Sequence, residues 1–148
     1  MSEPAESVQL QQLQDYRFEI RFADGLPPLQ ADEPAPLGAG EGPSPVQLLA
    51  SAVGNCLSAS LLFALRKYKQ APEPIGCRVA AEVGRNAEGR LRVLGLQATL
   101  TLGVPAAQLQ HLDRVLASFE AYCTVTQSVS AAIPVQVSVL DSTGAVLK

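Results

Sequence analysis

The sequence predicts a small α+β domain, with strands and helices segregated along the chain rather than alternating regularly. Three observations predict this class. Apolar residues alternate with period two near the start, middle and end of the chain. An uncharged helical stretch, residues 46–65, follows the first strand, and residues with helical spacing precede the last strand. The 148 residues suit a single domain, whose core we expect to span residues 16–140.

The first strand is predicted around residues 16–22, where Arg17 and Arg21 lie on the polar face, and it can begin as early as Val8. Residues 24–45 follow, with six prolines and four glycines. This composition predicts a long structured loop, in which Leu29 to Asp32 resembles a short strand. Loops of this length commonly cover a binding site or wrap a partner.

A long helix is predicted to begin at Ser44. Ser44 can cap it, Pro45 occupies the first helical position, and Gln47 completes a capping box. The helix is apolar on nearly all sides, so we expect its surroundings to cover it fully. Residues 46–65 are long enough to span a membrane, but scattered Ser, Asn and Gln residues favour a helix buried in a globule or dimer. We therefore expect no membrane partner.

Two further strands are predicted at residues 77–83 and 94–102, where apolar residues alternate. The turn residues of 86–89 join them into a hairpin. The predicted sheet is antiparallel and packs around the long helix.

The last third of the chain predicts two helices and a strand. Pro105 opens an amphipathic helix whose apolar stripe extends to Phe119. Thr124 and Gln127 form a second capping box, which predicts a short helix directly after Cys123. Residues 135–139 alternate again as the final strand.

Charge and terminal sequence narrow the function classes. The net charge is −3 and no basic block is present, so nucleic acid is not an expected partner. The N-terminal residues lack the basic and apolar regions of a secretory signal, which predicts a cytoplasmic protein. In that compartment the three cysteines are expected to be free or catalytic thiols rather than structural disulfides.

Cys56 and Cys123 are the candidate chemical groups. Cys123 precedes a predicted helix start, where unpaired N–H groups favour a thiolate. A second thiol within reach could convert a sulfenic acid into a disulfide. A buried helical cysteine such as Cys56 is also commonly a small apolar residue, and we interpret Cys77 as packing only. With a single histidine and no Cys-x-x-Cys motif, a metal site is not expected.

Two segments resemble a known family. Residues 42–49, with Cys56 eleven positions after Pro45, and residues 123–128 are similar to the two cysteine motifs of the OsmC/Ohr organic hydroperoxide reductases. The resemblance implies an intertwined homodimer built around central helices. It also implies Cys56 as the peroxidatic thiol, Cys123 as the resolving thiol, a dithiol reductant of the lipoyl type, and no bound cofactor.

One position departs from the family pattern. The family places an acid after the proline of its first motif, where it orients an arginine that stabilises the thiolate, and this chain has Val46 there. Arg17 and Arg21 are candidates for the cation, and Glu33 and Glu41 for the substitute acid.

The leading hypothesis is thus a thiol-dependent peroxidase that reduces organic hydroperoxides through Cys56 and Cys123. The alternative is a protein of the same dimeric fold that binds an apolar small molecule without catalysis, which Val46 favours. A third interpretation is a structural or regulatory dimer whose cysteines only pack.

Overall fold

The computed structural model describes Ser2 and residues 4–148, and the chain divides into two compact units, Met1–Leu48 and Leu49–Lys148. Its helices and strands confirm the predicted α+β class. In chain order they are β1 Gln9–Gln14, β2 Arg17–Arg21, β3 Leu29–Ala31, α1 Pro45–Lys67, β4 Gly76–Arg85, β5 Leu91–Thr101, α2 Leu112–Ser118, α3 Thr124–Ser130 and β6 Val135–Leu140. The boundaries of the predicted single domain stay a prediction.

The first unit contains an antiparallel sheet in the order β1-β2-β3. The single strand predicted here is in fact a hairpin, because the chain reverses at Asp15, which adopts a left-handed conformation with φ of 50°. Leu10 of β1 pairs with Ile20 of β2. The glutamine-rich β1 lacks strict alternation, so its sequence gave only a weak strand signal. β3 confirms the short strand predicted near Leu29.

Asp32 organises the loop after β3. Its buried carboxylate accepts backbone N–H bonds from Glu33 at 2.8 Å, Ala39 at 3.2 Å and Glu41 at 3.1 Å. The N–H of Glu41 contributes most to lowering the pKa of this carboxyl group. Gly38 leaves no room for a Cβ atom between the Glu33 carbonyl and the Asp32 carboxylate. These hydrogen bonds make the proline- and glycine-rich segment an ordered loop rather than a linker.

The capping box at the start of α1 is confirmed. The backbone N–H of Ser44 donates to Gln47 Oε1 at 2.9 Å, and the N–H of Gln47 donates to Ser44 Oγ at 3.2 Å. Pro45 is the first helical residue, where its missing N–H costs nothing. These reciprocal bonds fix where α1 begins.

One face of α1 forms the core of the second unit. Its buried residues are Ala50, Val53, Gly54, Leu57, Leu61 and Leu65. A Cβ atom at Gly54 would lie 2.8 Å from Val79 Cγ2, so glycine allows α1 and β4 to pack closely. Apolar residues of β5, α2 and β6 complete this core.

The opposite face of α1 is exposed in the single chain, so the full cover that the sequence predicts for this helix does not come from its own fold. Ala52, Asn55 and Ala59 lie on it, and Phe63 is 72% exposed. By length and composition α1 could also cross a membrane, although the core helix of a water-soluble protein meets the same criterion. The apolar side chains on this face are therefore exposed to water in the single chain.

The second sheet has the order β4-β5-β6, and it is mixed rather than wholly antiparallel as predicted. β4 and β5 form the expected hairpin, but β6 runs parallel to β5, with Leu96 opposite Val135. Residues 102–134 supply the long crossover that parallel pairing requires. Alternation identified β6 as a strand but carried no information on its direction.

The helix predicted to run from Pro105 is broken. A 3-10 turn, Ala106–Gln108, comes first, and α2 begins only after His111, whose φ is 62°. The N–H of Gln110 donates to the Gln70 side chain at 2.8 Å, so it is not available to continue a helix. His111 stacks on Tyr68 with ring centroids 4.8 Å apart, a contact the sequence did not reveal.

Candidate functional site: a pair of interacting cysteines

Cys56 lies in the middle of α1 and is half-buried. Its side chain packs against the apolar core of the second unit, and its thiol interacts with the side chain of Cys123, a contact that raises the pKa of Cys56. Both cysteines are free thiols. The fold therefore brings together two side chains that are far apart in sequence.

Cys123 is fully buried and is itself the residue that precedes the first turn of α3. The capping box predicted at Thr124 is one residue out of place, because Thr124 already lies inside the helix. The N–H of Gln127 donates to the backbone oxygen of Cys123 at 2.9 Å. The helix begins one residue early, which places the resolving-thiol candidate at the cap position.

The amide groups at the start of α3 point to Cys56. The backbone N–H groups of Val125 and Thr126 both hydrogen bond to the Cys56 sulfur. The sequence had assigned this set of donors to Cys123. The structure differs from that assignment: the Cys123 side chain makes no capping hydrogen bond to α3, and its thiol donates to the Thr126 hydroxyl instead. Cys56, deep inside its own helix, obtains its donors from another helix.

Burial has the largest effect on the pKa of the Cys56 thiol and raises it above its ordinary value. Hydrogen bonding to Cys123 raises this pKa further, since it stabilises the protonated form. The N–H groups of Val125 and Thr126 act in the opposite direction. In the second unit taken by itself, Cys56 is thus a thiol at neutral pH.

Thr126 contacts Cys123 directly. The Cys123 thiol lies 2.9 Å from Thr126 Oγ1 and donates to it. Thr126 is itself buried, with 3% of its surface exposed. Cys123 therefore interacts with Cys56 on one side and hydrogen bonds to a threonine hydroxyl on the other.

A 3-10 turn, Phe119–Tyr122, fixes the backbone ahead of Cys123. The carbonyl oxygen of Glu120 accepts the N–H of Cys123 at 3.0 Å and the Gln127 side chain at 3.0 Å. Lys148 pairs with the Glu120 carboxylate and donates to the Leu116 carbonyl at 2.8 Å. These contacts hold the segment carrying Cys123 in place from both sides.

The charged candidates lie in the first unit. Arg17 pairs with Glu41, whereas Arg21 pairs with its near neighbour Glu19 at 2.6 Å. Glu33 contributes its backbone, donating to Asp32 and accepting from Gly40. Of the two acid candidates, Glu41 is thus the one that binds an arginine. Arg17 Nε is buried without a partner among the described residues.

Cys77 lies apart, on β4 beside Gly54 of α1. It is exposed overall, but partial desolvation of its thiol raises its pKa, and the Ser58 hydroxyl lowers it. Within Ser2 and residues 4–148, no group of three or more His, Cys, Asp or Glu side chains could hold a metal ion. Val46, half-buried, occupies a first helical turn that contains no acid.

The sequence of residues 38–138 matches the family model described as OsmC-like protein. The chain belongs to the OsmC-like protein family. No curated protein sequence matches this chain closely enough to be informative.

Solved structures share the OsmC-like fold at low sequence identity. An OsmC-like protein from Mycoplasma pneumoniae is 11% identical, with 95% of this chain and 99% of that chain covered and a TM-score of 0.78. An OsmC-like protein of unknown function from Vibrio cholerae is 18% identical, with 95% and 100% covered and a TM-score of 0.77. An organic hydroperoxide resistance protein from Elizabethkingia anophelis is 12% identical, with 95% and 100% covered and a TM-score of 0.74.

Sequence reasoning missed two members of this OsmC-like site, Val125 and Thr126. The available signal was the spacing Cys123-x-x-Thr126, which is that of a cap residue and its third helical neighbour. The adjacent Thr-x-x-Gln pattern is a stronger capping signal and concealed it. The donation of α3 amides to Cys56 has no local sequence signal, because it depends on how α1 and α3 pack.

Proposed function

We propose that this OsmC-like protein is a thiol-dependent peroxidase that reduces organic hydroperoxides with Cys56 and Cys123. Similar folds include a protein named for organic hydroperoxide resistance. The single observation that carries the proposal is the interaction between the two thiols, which raises the pKa of Cys56. The two side chains are thus near enough to influence each other, as a disulfide-forming pair must be.

The proposed reaction has two steps. The Cys56 thiolate attacks the distal peroxide oxygen, so an S–O bond forms, the O–O bond breaks, and the alkoxide leaves as an alcohol after taking a proton. The Cys123 sulfur then attacks the sulfenic acid, so an S–S bond forms and hydroxide leaves as water with the thiol proton. An external dithiol, of the lipoyl type, returns both cysteines to thiols.

The first step needs a thiolate, which the raised pKa of Cys56 opposes. We propose that an arginine supplies the missing stabilisation, and that Arg17 is a better candidate than Arg21. Arg17 is held by Glu41, a loop acid, whereas Arg21 is occupied by a neighbour on its own strand. Glu41 would thus replace the acid that the family pattern places where this chain has Val46.

The substrate proposed is a hydroperoxide with an apolar group. Cys56 packs against the apolar core, near Leu57 and Leu61. Each methylene removed from water contributes about 0.8 kcal/mol to binding, which favours alkyl over hydrogen peroxide. We further propose a cytoplasmic homodimer, in which a second copy covers the exposed face of α1.

Peroxide consumption by matched cysteine variants tests the proposal. Purified protein is mixed with cumene hydroperoxide and dihydrolipoamide, and the remaining peroxide is measured. We expect Cys56→Ser to abolish turnover and Cys77→Ser to retain it, because only the first removes the attacking sulfur. Turnover by Cys56→Ser at the wild-type rate would contradict the proposal.

A second candidate function is the binding of an apolar small molecule without catalysis. Two observations favour it: Val46 stands where the family pattern has an acid, and the pKa of Cys56 is raised. In that case Cys56→Ser would leave function intact, and an apolar ligand would raise the melting temperature without being consumed. The peroxide assay and a thermal shift with cumyl alcohol together separate the two functions.

A further inference from the structure

Thr126 contacts the cysteine pair, and no sequence motif assigned this threonine a role. Its hydroxyl oxygen lies 2.9 Å from the Cys123 sulfur, and its backbone N–H hydrogen bonds to the Cys56 sulfur. Thr126 is thus a single buried residue in contact with both sulfur atoms.

We infer that the Thr126 hydroxyl is a catalytic group for the resolving step, in which Cys123 attacks the sulfenic acid on Cys56. This inference rests on the proposed function. A threonine hydroxyl is both acceptor and donor. In the reduced protein it accepts the Cys123 S–H, which directs the sulfur lone pairs away from Thr126 and leaves them free to face Cys56.

The same hydroxyl can act after the proton has moved. As Cys123 attacks, its S–H bond breaks, its sulfur forms the disulfide, and its proton ends on the leaving hydroxide as water. Once the S–H bond has broken and before the sulfur attacks, rotation about the Cβ–Oγ1 bond lets Thr126 donate to the thiolate; the charge then passes to the leaving hydroxide. The site is buried, so no bulk water competes for this hydrogen bond.

The matched variants are Thr126→Val, which removes the hydroxyl, Thr126→Ser, which keeps it, and Thr124→Val, which makes the same change at an exposed position two residues earlier. Each protein, in a Cys77→Ser background, receives one equivalent of cumene hydroperoxide. Dimedone labelling measures the sulfenic acid on Cys56, and quenched-flow mass spectrometry measures the disulfide.

We expect Thr126→Val to slow disulfide formation by about fivefold to tenfold, the effect of one hydrogen bond, while sulfenic acid forms at the wild-type rate and accumulates. Thr126→Ser should restore fast closure, and Thr124→Val should match the wild type. If Thr126→Val closes the disulfide at the wild-type rate, the inference is overturned but the proposed function stands. If the wild type forms neither a sulfenic acid on Cys56 nor a disulfide between Cys56 and Cys123, both are overturned.

Discussion

The two compact units differ in how they are held together. The second unit buries a continuous apolar cluster that joins α1, β5, α2 and β6. Among the described residues of the first unit, the buried apolar side chains are Ile20 and Ala31, while Val8, Leu10 and Phe22 are exposed. Its order comes from polar contacts, mainly the buried Asp32 and the Arg17–Glu41 pair.

This difference indicates which unit depends on outside contacts. A sheet of three short strands is stable only when an apolar face is covered. The second unit covers its own sheet with α1, whereas the first unit leaves most of its apolar side chains exposed. The proposed homodimer would supply that cover.

Replacement of one leucine in each unit should give the largest contrast. Leu61 is fully buried and Leu10 is 57% exposed. Leu61→Ala should lower the free energy of unfolding by about 2–5 kcal/mol, because it leaves a cavity in the core. For a single copy of the chain, Leu10→Ala should change it by less than about 0.5 kcal/mol, and a dimer that covers β1 would make the loss larger. Urea denaturation measures both, and a large loss for Leu10→Ala would show that a second copy covers β1 in solution.

The buried carboxylate of the second unit gives a smaller, pH-dependent effect. Hydrogen bonds, first from the Thr143 hydroxyl and then from the Ala106 N–H, lower the pKa of Asp141 to about 2. A lowered folded-state pKa means that the stabilisation is present above the ordinary pKa of 3.8 and is lost as the pH falls through about 2.

Asp141→Asn should therefore be less stable than the wild type at pH 7, and the two proteins should converge as the pH falls from about 4 to 2. Asp32→Asn is the matched change in the first unit and should also be less stable than the wild type at pH 7. The reason is the same, because backbone N–H bonds, chiefly the one from Glu41, lower the pKa of Asp32. Urea titrations over this pH range measure the differences. A difference that does not vary with pH would mean that these carboxylates act by shape rather than charge.

The helix starts should give the smallest contrast. Ser44→Ala removes a cap observed at α1 and should cost about 1 kcal/mol. Thr124→Ala should cost less than about 0.5 kcal/mol, because the residue is exposed and the cap of α3 is Cys123. Thermal unfolding followed by circular dichroism compares the two variants. Equal losses of stability would show that Thr124 does act as a helix cap.

Local signals predicted most of the fold. Ser44 and Gln47 predicted the start of α1, and alternation predicted the hairpin of β4 and β5, since both depend on neighbouring residues alone. The parallel direction of β6 and the break before α2 depend on contacts between distant segments. Gln70, for example, binds the N–H of Gln110 from the other side of a hairpin.

Only part of the site was predictable from the sequence, again because some of its contacts join distant segments. Cys56 and Cys123 were identifiable by residue type and position, but the amides that contact Cys56 come from α3 and carry no signal near Cys56. Thr126 was hidden by the stronger capping pattern next to it. The redox role of the pair and the arginine that serves it stay predictions.

Disulfide mapping tests the central claim most directly. The wild-type protein is treated with one equivalent of cumene hydroperoxide, blocked with an alkylating reagent, digested and examined by mass spectrometry. The account predicts a peptide pair joined through Cys56 and Cys123, with Cys77 alkylated. Free thiols at both Cys56 and Cys123 after the peroxide has been consumed, or a bridge through Cys77, would contradict it.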